Sequence, residues 1–258
     1  MQQTLTGKVA VVTGASSGIG EATVLELASR GASVVAAARS VEKLEDLARR
    51  AASSGVLVVE ADVADRDSVE AMVGLTVEKF GRLDVLVNNA GLGLSGRVAE
   101  LRPEDLRYVF EVNTIGPLNC LQAALPHMGS GGRIINVSSV VGLRAIPKVG
   151  GYCSTKFALN ALSDSLRVEV AERGISVTSV YPGTTRTSFR DNSRRTKDEK
   201  RGWRPKGVTP QKVAKRIAAA AEKGPRDVYV TASDRLFVAG VTLFPGLTDR
   251  VLRAWARG

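Results

Sequence analysis

Hydrophobic positions along the chain fall into two alternating patterns. Short runs rich in β-branched residues predict seven strands, at residues 8–13, 33–38, 56–60, 84–87, 133–137, 175–181 and 227–230. Longer amphipathic stretches predict helices at residues 18–30, 41–53, 68–80, 103–126, 152–173 and 210–222. The strands show little polar alternation, as expected when both faces of a sheet are covered. Strands and helices repeat without hairpin signals, which predicts a single α/β domain over residues 1–258 with a doubly wound, mainly parallel, seven-stranded sheet.

Two segments depart from this alternation. Residues 184–207 are polar, basic and without periodicity, and we interpret them as a substrate lid loop whose charge keeps it solvated. The tail, residues 234–258, contains an apolar run that Pro245 and Gly246 interrupt. Beyond this break Leu247, Val251 and Trp255 share a helical face, flanked by Arg250, Arg253 and Arg257. Such a helix can lie on a membrane surface, cap the substrate pocket or pack on a second subunit.

Composition narrows the functional classes. The net charge of +10 is concentrated in residues 186–206 and in the tail, not along a helix with interleaved aromatics, which disfavours nucleic-acid binding. Two separated cysteines and a single histidine are too few soft ligands for a transition-metal site, so no metal is expected. The longest apolar stretch, residues 236–247, is shorter than the ~20 residues of a spanning helix, and no secretion signal is evident. We expect a cytoplasmic protein, with peripheral membrane contact through the tail left open.

The first predicted strand runs directly into a glycine-rich turn that opens the first helix. Glycines let the backbone turn sharply and approach a ligand closely, and a helix N-terminus offers unpaired N–H groups to an anion. A tight turn needs glycines for structural reasons too, but this position within a β–α–β unit favours dinucleotide binding. The predicted contacts are Gly14, Ser16, Ser17, Gly18, Ile19 and Gly20.

The end of the second predicted strand bears on which dinucleotide binds. NAD-selective proteins place an acidic residue there for the ribose hydroxyls, whereas this strand continues into Arg39 and Ser40. Arginine offers a permanent charge and a planar donor fork suited to a 2′-phosphate. The alternative is a merely solvated arginine. The missing acid and the present base together favour NADP(H) over NAD.

Tyr152 and Lys156 lie four residues apart and therefore share one helical face. A phenol has a pKa of about 10, and a neighbouring ammonium together with an oxidised nicotinamide would favour the phenolate. Tyr152 is thus a candidate general acid/base for hydride transfer between a carbonyl and a secondary alcohol. Ser139, thirteen positions before Tyr152 at a strand end, strengthens this interpretation over that of an ordinary helix face.

The order and spacing of these motifs resemble the short-chain dehydrogenase/reductase family. The resemblance covers most of the chain and rests on the Gly-x-x-x-Gly-x-Gly turn, Asp62-Val63, Asn88-Asn89-Ala90-Gly91, Asn113, Ser139, Tyr152-x-x-x-Lys156 and Pro182-Gly183. It implies a Rossmann-type fold and assembly as a homodimer or homotetramer. The segments expected to form the pocket, residues 92–96 and 140–149 with the lid, are mostly aliphatic or expected to be mobile, which favours a small apolar carbonyl or alcohol as substrate.

The resemblance also implies roles for single residues. Ser139 would donate a hydrogen bond to the substrate oxygen, Lys156 would bind the nicotinamide ribose, and Asn113 would support a water in a proton relay. For Asn113 the alternative is a buried amide that bonds to the main chain. The remaining implied cofactor contacts, from adenine to nicotinamide, are Asp62, Val63, Asn89, Ala90, Gly91, Pro182, Gly183, Thr184 and Thr187.

Two other functions remain as alternatives. A catalytically silent NADP-binding sensor or interaction protein of the same fold would be expected to lose Ser139, Tyr152 or Lys156, yet all three are present. A methyltransferase would place an acidic ribose contact after the second strand and gives no reason for the Tyr–Lys pair.

Overall fold

The computed structural model describes residues 4–51, 55–196 and 207–257. Its strands are β1 (Val9–Thr13), β2 (Ser33–Ala38), β3 (Val56–Glu60), β4 (Val85–Asn88), β5 (Leu94–Ser95), β6 (Arg133–Val137), β7 (Ser176–Tyr181), β8 (Arg194–Arg195) and β9 (Asp227–Tyr229). Seven of them form one parallel sheet in the order β3-β2-β1-β4-β6-β7-β9, while β5 and β8 pair separately. The predicted doubly wound, seven-stranded fold is confirmed.

Helices cover both faces of this sheet. They are α1 (Gly18–Ser29), α2 (Val41–Arg50), α3 (Arg66–Phe80), α4 (Pro103–Phe110), α5 (Gly116–Ala124), α6 (Gly150–Glu169), α7 (Pro210–Lys223), α8 (Ala232–Leu243) and α9 (Pro245–Arg257). Alternate side chains of one strand enter different cores, so that Val12 packs with the cluster of Leu27 and Ile217 while Val11 packs with that of Met72 and Cys120. This double burial explains why the strands are apolar at nearly every position.

The sheet fixes where a ligand can bind. The chain proceeds from β1 outwards to β3 and then returns to β4 on the other side of β1. Ligands of open α/β sheets bind at the carboxyl ends of the strands next to such a reversal. The loops that follow β1, β4, β6 and β7 therefore surround the candidate site.

One predicted element differs from the structure. The single helix expected at residues 103–126 is divided into α4 and α5 by a π-helical turn, Glu111–Ile115. Pro117 has no N–H to donate to the carbonyl of Asn113, so a regular helix cannot continue through this point. The turn carries Asn113.

The lid and the tail contain more regular structure than their sequences predict. The described part of the lid includes a 3-10 turn, Ser188–Arg190, and strand β8, while residues 197–206 lie outside the described residues. In the tail the predicted break is confirmed, because α8 ends at Leu243 and α9 begins at Pro245. Within the described chain, none of the helices is both long and apolar enough to span a bilayer.

Candidate active site

The turn between β1 and α1 contains glycines at which any side chain would displace neighbouring atoms. Gly14 and Gly18 have φ angles of 64° and 60°, in the left-handed region. A Cβ atom at Gly20 would lie 2.3 Å from the main-chain oxygen of Gly14. The helix cap Ser17 makes no side-chain capping hydrogen bond to any described residue, and Ser16 and Ile19 are half-buried beside it. The turn therefore has the close backbone approach that a pyrophosphate requires.

Two neighbouring strands hold this turn in place. The hydroxyl of buried Thr13 accepts hydrogen bonds from the amides of Asn89 and Ala90, both at 3.1 Å. The Asn89 side-chain amide donates to the main-chain oxygens of Thr13 and Gly14, at 2.9 and 3.2 Å. The segment after β4 is thus fastened to the glycine turn, so these predicted cofactor residues lie together.

We call the space between the loops that follow β1, β4, β6 and β7 the groove. The predicted adenosine residues follow β2 and β3, at its far end. Arg39 Nη1 lies 3.8 Å from the Asp62 carboxylate and 3.2 Å from the Tyr108 hydroxyl, to which it donates. The Arg39 side chain is 66% exposed, so it can reach a ligand. Asp62 also accepts a hydrogen bond from the Ala64 amide at 3.0 Å, while Val63 is buried. Ser40 is exposed at the start of α2.

Ser139 follows β6, and the next segments of the chain hold its hydroxyl. The hydroxyl donates to the main-chain oxygen of Pro182 at 3.2 Å and accepts from the Val141 amide at 3.3 Å. Tyr152, in the first turn of α6, lies close enough to this hydroxyl that Ser139 acts to lower the pKa of the phenol. The structure therefore brings Ser139 and Tyr152 together, as the sequence predicts.

Lys156 lies on the next turn of α6 and is buried, with 3% of its surface exposed. Its ammonium nitrogen donates to the main-chain oxygen of Val137 at 2.8 Å and lies 5.9 Å from the centre of the Tyr152 ring. Desolvation lowers the pKa of Lys156 to about 8. A Cβ atom on Gly91 would lie 3.8 Å from the same nitrogen, so the lysine borders the groove.

The protein's own groups do not acidify Tyr152. Burial of the phenol is the largest influence on its pKa and raises it, outweighing the opposite influence of the nearby Ser139 hydroxyl. The expectation of a lowered pKa also included the positive charge of an oxidised nicotinamide, and it stays a prediction for the cofactor-bound protein. In this environment Tyr152 is a protonated phenol at neutral pH.

Asn113 is completely buried in the π-helical turn. Its side-chain oxygen accepts from the Leu92 amide at 2.7 Å, and its side-chain nitrogen donates to the Leu92 oxygen at 2.8 Å and to the Thr155 hydroxyl at 3.0 Å. These contacts match the alternative of a buried amide bonded to the main chain. They also tie the segment after β4 to α6, which carries Tyr152.

The segment after β7 completes the groove. Gly183 packs so closely against Asp234 of α8 that a Cβ atom there would lie 2.4 Å from a carboxylate oxygen. The Thr184 oxygen accepts from the Val208 amide at 2.9 Å. A Cβ atom on Gly18 would lie 2.9 Å from the Thr187 methyl group, which places Thr187 over the glycine turn.

Three residues of this site were missed by the sequence analysis. The ring of Phe189 packs edge-on against that of Tyr152, with centroids 5.5 Å apart. Tyr108 contacts Arg39, and Asp234 borders Gly183. Each contact joins segments distant in sequence, so local periodicity carries no signal for it. Asp234 alone had a local signal, because with Thr231 it forms the capping box that opens α8.

Metal ligation has no support in the described residues, among which no group of three or more histidine, cysteine or acidic side chains is placed to hold an ion. Cys153 is adjacent to Tyr152 but fully buried, and burial raises the pKa of its thiol.

A doubly wound parallel sheet with a glycine-rich turn at its reversal point places the protein in the class of dinucleotide-binding α/β proteins. A family model described as short chain dehydrogenase matches residues 8–198, and the chain belongs to the short-chain dehydrogenase/reductase family of oxidoreductases. Members of this family use nicotinamide cofactors.

Individual relatives agree with this assignment. The uncharacterized oxidoreductase YxnA of Bacillus subtilis is 35% identical over 256 residues, covering 96% of this chain and 72% of that protein. A short-chain dehydrogenase/reductase from Burkholderia phymatum in complex with NAD superimposes with a TM-score of 0.85 at 26% identity, covering 95% of this chain and 96% of that one. An alcohol dehydrogenase from Thermococcus sibiricus, complexed with 5-hydroxy-NADP, gives a TM-score of 0.76 at 33% identity over 86% of this chain and 95% of that one.

Proposed function

We propose that the protein is an NADP(H)-dependent oxidoreductase that interconverts a carbonyl and a secondary alcohol, with Tyr152 as general acid/base. The observation that carries this proposal is the grouping of Ser139 and Tyr152 with buried Lys156, whose ammonium nitrogen lies 5.9 Å from the centre of the Tyr152 ring. A catalytically silent sensor would have no need to keep Ser139, Tyr152 and Lys156 close together.

The groove fits a dinucleotide. The cradle at Gly14, Gly18 and Gly20 would take the pyrophosphate, because side chains at these positions would collide with the surrounding backbone or with Thr187. Lys156 would bind the nicotinamide ribose, and Asn89, Ala90 and Gly91 would line the groove. Pro182, Gly183, Thr184 and Thr187 would border the nicotinamide. When bound, the dinucleotide supplies or accepts the hydride.

The preference for NADP(H) rests on Arg39. Its guanidinium is exposed and oriented by Tyr108 and Asp62, which leaves donors for a 2′-phosphate at the end of β2. Ser40, exposed beside it, adds a hydroxyl. Asp62 is the nearby acid, but it follows β3, and Arg39 together with the Ala64 amide already engages it. Relatives of this chain are found with NAD and with an NADP derivative, so this preference requires measurement.

The proton steps follow from the positions of the hydroxyls. In reduction Tyr152 donates its proton to the substrate oxygen, and in oxidation it takes the proton back. Ser139 exchanges its bond to the Pro182 oxygen for one to the substrate and orients the substrate against Tyr152. Because NADP(H)-linked enzymes commonly run in the reductive direction in cells, the proposed physiological direction is reduction.

Apolar side chains around Tyr152 support an apolar substrate. Phe189 covers one side of the phenol, and Leu94 packs against Gly151, immediately before it. We expect a small, largely hydrocarbon ketone, aldehyde or alcohol. Phe157, Leu162 and Val168 are exposed along α6 and support assembly as a homodimer or homotetramer. The proposed location is the cytoplasm.

The test is a screen of purified protein for NADPH oxidation over a diverse panel of aldehydes and ketones, with Tyr152→Phe protein as the blank. We expect at least one carbonyl to be reduced by the wild type and not by the variant. Tight NADPH binding without turnover of any carbonyl, or of any alcohol with NADP⁺, would favour the silent sensor instead.

A further inference from the structure

The last two helices expose a row of large apolar side chains. Six of the twelve exposed large hydrophobic residues in the described chain lie here: Leu236, Phe237, Leu243, Phe244, Leu247 and Val251. Their exposed fractions range from 43% to 72%. Helical spacing aligns Leu236 with Leu243 along α8, and Leu247 with Val251 along α9. A concentration of this size marks an interaction surface rather than scattered exposure.

The charges beside this surface are positive. Arg235, Arg250 and Arg253 are exposed on α8 and α9, without an acidic partner among the residues that the structure describes. The two acids of these helices are engaged elsewhere: Asp234 caps α8, and Asp249 forms an ion pair with Arg144. The surface therefore presents hydrocarbon flanked by exposed arginines that have no acidic partner in the described part of the chain, on a protein of net charge +10.

Both helices are tied to the candidate active site. Asp234, in the first turn of α8, packs against Gly183. Arg144, which holds Asp249 of α9, lies in the loop that follows Ser139. Both helices are consequently attached to segments that border Ser139 and Gly183.

We propose that the exposed face of α8 and α9, defined by Leu236, Leu243, Phe244, Leu247 and Val251, docks on an anionic lipid bilayer. An amphipathic helix of this kind lies in the interface with its apolar side in the acyl region and its arginines among the headgroups. A second copy of the chain fits less well, because a two-fold contact through this face would bring Arg250 and Arg253 towards their own copies. Anionic phospholipid headgroups complement these cations.

The experiment is co-sedimentation of the full-length protein with vesicles of phosphatidylglycerol and phosphatidylcholine, compared with vesicles of phosphatidylcholine alone. We expect the anionic vesicles to bind the wild type about tenfold more tightly, with most of this preference lost at high salt. Replacing Leu247 and Val251 together by glutamate should reduce binding at least about tenfold. Replacing Arg250 and Arg253 together by glutamine should abolish the preference for anionic vesicles.

A matched control carries Leu75→Glu, which adds charge at an exposed apolar residue of α3 outside this surface and should bind like the wild type. Circular dichroism and thermal unfolding confirm that each variant is folded. Absence of wild-type binding to anionic vesicles would overturn the proposal. Normal vesicle binding by the Leu247→Glu/Val251→Glu variant would also overturn it. A change in the oligomeric state of this variant, measured by sedimentation without lipid, would overturn it as well, because the face would then join two copies of the chain. Vesicle binding requires no turnover, so this result is independent of the catalytic proposal.

Discussion

The ammonium nitrogen of Lys156 lies 2.8 Å from the main-chain oxygen of Val137, the last residue of β6. This bond joins the helix that carries Tyr152 to the strand that precedes Ser139. It also holds a cation in a site from which water is largely excluded, and desolvation lowers the pKa of Lys156 to about 8. The fold therefore both positions the lysine and brings its pKa closer to neutrality.

This titration predicts a pH dependence. Lys156 carries its charge below pH 8 and loses it as the pH rises through about 8, while Tyr152 remains a phenol because burial raises its pKa. Reduction needs the protonated phenol and the charged lysine, so kcat/KM for a carbonyl should be constant at neutral pH and fall above about pH 8. Oxidation of the alcohol needs a deprotonated Tyr152 and should instead accelerate as the pH rises. A reductive profile that stays flat from about pH 6 to 10 would contradict this assignment.

Arg39 predicts cofactor discrimination. Arg39→Ala removes the donors proposed to meet the 2′-phosphate, so the Kd for NADPH should rise about 10- to 100-fold with little change for NADH. Fluorescence titration with both cofactors measures this. Arg49→Ala, a loss of charge at an exposed position of α2, is the control and should leave both constants unchanged. Equal loss of affinity for NADPH and NADH would show that Arg39 does not bind the 2′-phosphate.

The close packing around Gly20 predicts that cofactor binding depends on the shape of the glycine turn. A methyl group there would lie 2.3 Å from the Gly14 oxygen and 2.5 Å from the Asn89 side-chain nitrogen. Because the carbonyl is main chain, the turn itself must move, and Gly20→Ala should weaken the binding of NADPH and NADH alike by at least about tenfold. Gly74→Ala on α3, where no atom lies within 4 Å of the added carbon, provides the matched control. Unchanged cofactor binding in the Gly20 variant would rule out this turn as the pyrophosphate site.

Replacement of Asn113 should lower the stability of the protein. Asn113→Ala removes both hydrogen bonds to the main chain of Leu92 and leaves those groups without their partner. The free energy of unfolding should fall by about 2–3 kcal/mol, measured by denaturant titration. Asn119→Ala, which removes a single bond to the Val63 oxygen, should cost about 1 kcal/mol. Equal stability of the Asn113 variant and the wild type would mean that this amide has no structural role.

Features of the fold that depend on neighbouring residues could be predicted from the sequence, whereas contacts between distant segments could not. The strands and the glycine turn were predictable because burial on two faces and positive φ angles restrict residue type at each position. The π-helical turn at Asn113 was not, since an extended amphipathic pattern continues through Pro117 and only the missing N–H marks the interruption. The contacts of Phe189 and Tyr108 could not be predicted, because ring packing and hydrogen bonding between separate segments do not affect the local hydrophobic pattern.

The electrostatic environment of Tyr152 could not be worked out from the sequence. Spacing alone puts Lys156 on the same helical face, and from this we predict a lowered pKa of the phenol when an oxidised nicotinamide is also bound. The helix places the ammonium against Val137 instead, and burial dominates the phenol. Desolvation depends on the whole fold and has no counterpart in the spacing of two residues.

The most direct test of the central claim compares Tyr152→Phe with the wild type in a single turnover with NADPH and a reducible carbonyl. Because the variant lacks the only proton donor proposed for the substrate oxygen, the rate of NADPH oxidation should fall by at least about a thousandfold, while the Kd for NADPH changes less than about threefold. A variant that binds NADPH normally and still reduces the carbonyl at a rate close to that of the wild type would contradict the account.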